Sequence, residues 1–172
     1  MTLGLTAGAV AAERSFPQAI QVENKALSLN GVGTRMATIF KVKVYRAALY
    51  LEKKSADAEE ILSSSQMKQV ELLFLRDVSL NQIRNAWREG LERNCGSLCE
   101  STKPSVDQLV GLMTAMKDGD TMTFVFRPDY VNVFIRDRLV GKVAGAPFER
   151  IVLSTWLGNP PNSELKDGML GR

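Results

Sequence analysis

Residues 121–143 read Thr-Met-Thr-Phe-Val-Phe-Arg-Pro-Asp-Tyr-Val-Asn-Val-Phe-Ile-Arg-Asp-Arg-Leu-Val-Gly-Lys-Val. Met122, Phe124 and Phe126 alternate with Thr and Val, and the breaks fall on Arg127-Pro128-Asp129 and Arg136-Asp137-Arg138. Apolar side chains at every second position, separated by short turns, are the pattern of strands joined as hairpins. Three consecutive antiparallel strands are therefore predicted: Thr121 to Phe126, Tyr130 to Ile135 and Leu139 to Val143. A helix should follow, with Pro147 near its first turn, Phe148, Ile151, Val152, Thr155 and Trp156 along one face, and Gly158 at its end. Asn159 to Arg172, rich in Pro and Gly, is expected to be irregular with one short turn of helix.

Upstream, Ser105 and Gln108 form an S-x-x-Q capping box before Val106, Leu109, Val110, Met113 and Met116, which predicts a helix closing at Lys117-Asp118-Gly119. A second box, Ser79 and Gln82, precedes Leu80, Ile83, Trp87 and Leu91 and predicts a helix ending near Asn94. Val70 to Leu75 reads as a strand and Asp57 to Leu62 as a short helix. From Met36 to Lys53, including Thr38-Ile39-Phe40, the pattern is β-rich with apolar groups on both phases, as for a strand within a sheet. Asn30-Gly31-Val32-Gly33 is expected as a tight turn, preceded by a hairpin of Ala19–Val22 and Ala26–Leu29. The order β-β-β-α-β-α-α-β-β-β-α implies an α+β fold: one antiparallel sheet with helices layered on one face. The space between sheet and helices is the natural place for an apolar ligand.

The chain has 172 residues, 45% of them hydrophobic, enough for one domain with its own core. It has no histidine, which excludes Ser-His-Asp and Cys-His nucleophilic sites and imidazole-based zinc or acid/base chemistry. No metal site or cofactor is expected. The 22 Lys+Arg and 19 Asp+Glu are interleaved, as from Arg84 to Arg93, which argues against a nucleic-acid partner. No apolar run is long enough to span a bilayer. Residues 1–12 are apolar and small and contain an A-x-A pattern, Ala9-Val10-Ala11; they read as the end of a secretory signal, with an ordinary chain terminus as the alternative. Residues 13–172 would then form one domain in a periplasmic or otherwise exported protein. Cys95 and Cys99 are either a disulfide, as export favours, or two thiols.

Five stretches, in order, resemble the chalcone isomerase superfamily: Leu29-Asn30-Gly31-Val32-Gly33-Thr34-Arg35, Val44 to Glu52, Phe74-Leu75-Arg76-Asp77, Glu92-Arg93-Asn94-Cys95, and Leu153 to Gly158. Together they cover about residues 17 to 158. The resemblance, nearest to a bacterial exported branch, implies an open-faced β-sandwich. In the isomerases an Arg on the Gly-x-Gly-x-Arg motif stabilises negative charge on a carbonyl oxygen, and Arg35 matches it. Their active-site Tyr falls on Trp87, the Lys one turn later on Gly90 and a strand Thr on Tyr45, whereas the Thr of the last helix is kept at Thr155. An indole cannot transfer a proton as a phenol can.

Fatty-acid-binding relatives pair the same Arg with a Tyr on the following strand, a pattern matched by Arg35 and Tyr45. The expected function is therefore non-catalytic binding of an apolar anionic small molecule, a fatty acid first, with Arg35, Tyr45, Trp87 and Thr155 as ligand-binding residues. The alternative is an intramolecular lyase of the chalcone isomerase type with Arg35 as oxyanion stabiliser and Thr155 assisting. Trp87 and Trp156 could instead plug the cleft, as in an interaction module.

Overall fold

Seven strands pair in chain order, every neighbouring pair antiparallel, in a computed structural model that describes residues 15–172. They are β1 (Ala19–Val22), β2 (Lys25–Ala37), β3 (Val42–Leu51), β4 (Lys68–Phe74), β5 (Thr121–Arg127), β6 (Tyr130–Ile135) and β7 (Arg138–Ala144). Among the described residues there are also five α-helices, α1 (Ala58–Ser63), α2 (Leu80–Cys95), α3 (Cys99–Gly111), α4 (Phe148–Leu157) and α5 (Ser163–Met169), with a 3-10 turn, Gly96–Leu98, between α2 and α3. Leu49, Val70, Phe124 and Val133 on one face of the sheet share a core with Ile61 of α1, Ile83 and Leu91 of α2, Leu109 of α3, Val152 of α4 and Leu165 of α5. All five helices thus cover one face, as the α+β reading requires. The other phase of the same strands buries Ala48, Tyr50, Leu73 and Val125 in a smaller cluster with Leu27 and Phe16. The N-terminal pattern at residues 1–12 lies outside the described residues.

Four expectations are corrected. Asn30 to Gly33 is no turn: β2 runs through it with one irregularity in pairing, between Leu29 and Gly31. Thr38–Lys41 is a turn and not part of a strand, so Ile39 and Phe40, which imitate strand apolarity, lie largely exposed. Ser105 and Gln108 do not open a helix, because α3 begins six residues earlier at Cys99 and ends at Gly111. Its first turns show no apolar period, since only Thr102 there is buried, donating its hydroxyl to Leu98 O (2.7 Å). After α3 the chain extends, and Met116 bridges to Val78. The C-terminal segment holds a seven-residue helix, α5, packed against β2. The Ser79–Gln82 capping box is present in full at the start of α2. Cys95, closing α2, and Cys99, opening α3, are joined by a disulfide with Cα atoms 4.9 Å apart.

Candidate ligand-binding site

A cavity of about 380 Å³ lies between β2, β3 and β4 on one side and α2 and α4 on the other. Its inner wall is buried and apolar, made by Leu72, Phe74, Ile83, Trp87 and Trp156. Its outer rim is exposed: Thr38, Arg76, Asp77, Gln82, Arg93 and Pro161. Arg35, Tyr45, Trp87 and Thr155, named from sequence, all line this one space.

Arg35 reaches the cavity because of the irregularity at Asn30. Before it, Leu27 and Leu29 face the smaller cluster; after it, the same odd-numbered phase carries Gly31, Gly33 and Arg35 on the helix face. An inserted residue in a strand exchanges its two faces, and here it turns Arg35 inward. The buried Asn30 amide fixes the bulge, donating to Ser55 O and Met169 O (2.9 Å each) and accepting from Ser55 N (2.9 Å). A second shift in pairing falls between Arg35 and Met36. There Asn162, just before α5, donates to Thr34 O (3.0 Å) and accepts from Met36 N (3.0 Å), so the backbone on both sides of Arg35 is fastened by one side chain. Gly31 and Gly33 let α5 come this close: a Cβ on Gly33 would lie 2.8 Å from the Leu165 carbonyl carbon, and one on Gly31 2.8 Å from Met169 O. The Gly-x-Gly of the motif is thus a seat for a helix. Sequence reasoning missed Asn30 and Asn162; their only signal was an amide beside an apolar strand and another in a Pro/Gly-rich tail.

Tyr45 stands directly across from Arg35 in the β2–β3 register, and its ring packs edge-on against Phe74 at 5.6 Å. Its hydroxyl oxygen accepts from Trp156 Nε1 (3.1 Å), which leaves the O–H to donate. Burial pushes the phenol above its usual range, opposed by the Arg35 guanidinium and the bond from Trp156. Tyr45 therefore stays a neutral donor beside a fixed cation. Trp87 packs edge-on to Trp156 (5.6 Å) and tilts against Phe124 (5.1 Å), forming a wall and not a plug. Thr155 gives its hydroxyl proton to Val152 O (2.7 Å), within its own helix. Gly90 adds no side chain to the cavity, and a Cβ there would meet Thr155 and Arg93 only at ordinary contact distances, the Thr155 methyl nearest at 3.5 Å.

The rim is cationic. Arg76 and Arg93 join Arg35, whereas the one carboxylate, Asp77, is bound to Lys117 (3.1 Å) and accepts from Asp118 N (3.0 Å), bonds that hold it below the usual carboxylate range. Of the groups that could move a proton, Tyr45 is shifted upward and Asp77 downward, both away from neutrality. The arrangement is suited to holding an anion with an apolar body and poorly suited to general acid/base work. Among the described residues no three Cys, Asp or Glu side chains converge as a metal site, and no helix is long and apolar enough to cross a membrane.

A family model described as chalcone isomerase-like matches residues 8–171. No curated protein matches the sequence. The solved structure of a fatty-acid binding protein from Arabidopsis thaliana is similar in fold, with a TM-score of 0.75 over 90% of each chain at 16% identity.

Proposed function

The chain belongs to the chalcone isomerase-like family, and on that premise we propose that it binds an apolar molecule with an anionic end, a fatty acid first, without converting it. The observation that carries the proposal is the pairing of Arg35 with Tyr45 across β2 and β3 in a cavity whose inner wall is apolar and whose rim is cationic. A guanidinium offers a two-pronged contact to a carboxylate, and the Tyr45 O–H adds a third hydrogen bond. About ten buried methylenes at roughly 0.8 kcal/mol each give about 8 kcal/mol gross. Association costs several kcal/mol, so the head-group contacts decide whether binding is tight. The cavity volume lies toward the small end of the range of roughly 300–1,000 Å³ for ligand sites, which suits a single tail. The fold shared with a fatty-acid binding protein supports the same reading.

The proposal extends to location. An exported, periplasmic protein of a bacterial branch of the family is supported by the A-x-A pattern at Ala9–Ala11 and by the Cys95–Cys99 disulfide, because such bonds persist in oxidising compartments.

Native mass spectrometry of the protein expressed heterologously, with displacement of a fluorescent fatty acid, tests the binding. Co-purifying lipid and saturable displacement are expected; no lipid, together with a melting temperature unmoved by added fatty acids, would sink the proposal. Turnover of 2'-hydroxychalcone above the spontaneous rate, lost in Arg35→Ala, would instead establish the lyase reading.

A further inference from the structure

Two large apolar side chains stand bare at the apex of the β2–β3 turn: Ile39 is 91% exposed and Phe40 80%. They occupy the central positions of the Thr38–Lys41 turn, closed by Lys41 N donating to Thr38 O (3.2 Å) and Phe40 N to Thr38 Oγ1 (3.3 Å). Turn apices ordinarily carry Gly, Asn, Asp or Ser, and positive φ is a place for glycine. Here β-branched Thr38 holds φ +65° and Lys41 φ +51°. The sequence thus sets aside local turn chemistry and presents an apolar pair to water, a conflict that marks function more often than fold.

The surroundings of the pair narrow what it meets. From residue 35 to 43 the hairpin carries Arg35, Lys41 and Lys43 and no acidic residue. Glu164 lies 3.8 Å from Lys41, with both groups exposed, and Asp77 on the cavity rim is held by Lys117. Ala37, Thr38 and Val42 of the same hairpin wall the cavity, so the apex stands next to its exposed rim, which also carries Arg76. Adjacent apolar side chains flanked by cations match the boundary of an anionic bilayer, where rings and alkyl groups enter the acyl region and lysines stay among the headgroups.

We propose that the β2–β3 turn is a membrane-docking tip: Ile39 and Phe40 insert into the surface of an anionic bilayer, Lys41 and Lys43 contact its headgroups, and the cavity mouth is brought to the lipid. The use of that contact, loading or delivering a lipid-derived ligand, rests on the binding function proposed above; the docking does not.

Sedimentation with vesicles of phosphatidylcholine mixed with phosphatidylglycerol tests the tip. The full chain should partition onto them, and Ile39→Ser with Phe40→Ser should lower the partition coefficient about tenfold or more. Lys41→Gln with Lys43→Gln, or vesicles of phosphatidylcholine alone, should lower it roughly fivefold per cation removed from play. An unchanged melting temperature in both double variants shows that the fold is intact, since the altered side chains are exposed. In the same tip variant, displacement of the fluorescent fatty acid at equilibrium should be unaltered. A chain that docks through the tip yet displaces no fatty acid supports the docking and refutes only the ligand reading. No sedimentation of the wild-type chain, equal partition of the apolar double variant, or a tip-dependent dimer in place of vesicle binding overturns the docking.

Discussion

Arg35 and Tyr45 divide the work of holding an anion, and their substitutions should separate it. Hydrogen bonds to charged groups are worth about 1.5–3 kcal/mol, so Arg35→Ala should weaken fatty-acid displacement by about ten- to a hundredfold. Arg35→Lys keeps the charge but loses the planar fork and should recover only part of that. Tyr45→Phe removes one donor and also strands the Trp156 N–H, so a loss of about tenfold is expected, with some loss of stability. Thr155→Val should leave affinity nearly unchanged, because its proton is already bound to Val152; equal losses at Thr155 and Arg35 would mean that the anion lies elsewhere. That Arg35, Tyr45 and Thr155 border one cavity was expected from the family resemblance. The bond between Trp156 and Tyr45 was not, because it joins side chains 111 residues apart and leaves no local pattern.

At the scale of elements, β2 and α5 form one unit. A methyl group on Gly33 would drive into the backbone of Leu165, and overpacking against backbone costs about 1–3 kcal/mol or more. Gly33→Ala should therefore lower the melting temperature clearly and loosen ligand binding with it, checked by thermal melts with and without fatty acid. The disulfide at the α2–α3 junction closes a very short ring, for which the chain-entropy argument gives about 2 kcal/mol. Cys95→Ser with Cys99→Ser should then melt roughly 4–8 °C lower. Sequence patterning found β4 to β7, α2 and α4 because each repeats its period over several turns or pleats. It missed the bulge at Asn30, whose partners Ser55 and Met169 are remote, and it underestimated α5. A helix of seven residues has too little cooperativity to exist by itself. It is held by β2, and no local rule encodes that.

For the whole molecule, the two-sided sheet makes stability dependent on alkaline pH. Tyr50 is fully buried in the smaller cluster, donates to Pro17 O (3.0 Å), and is pushed from its ordinary 10 up to about 12 by burial, reinforced by the nearby Glu71 carboxylate. The folded chain therefore keeps this proton more tightly than the unfolded one. Its contribution is whole below pH 10 and falls by about 1.4 kcal/mol per pH unit as pH rises through 10 toward 12. Denaturant melts across that range should show the decline, and Tyr50→Phe should make it shallower, Tyr45 contributing the rest, while losing about 1 kcal/mol at neutral pH. The α+β architecture itself was readable, because strands gathered at both ends of the chain with helices between leave few other solutions. The second, smaller core was harder to anticipate: its members sit on the opposite phase of strands already explained by the first.

The order of the sheet matters for folding. Each strand pairs with the one just before it in the chain, so the sheet can grow from its N-terminal end. The last helix, α5, follows every element it packs on and must reach back to the second strand. Until residues 162–169 dock, Thr34 O and Met36 N lack Asn162, and the strand bearing Arg35 has no clamp. A partly folded chain would thus carry a nearly finished sheet with an unfinished site, and competence to bind would arrive with the last helix.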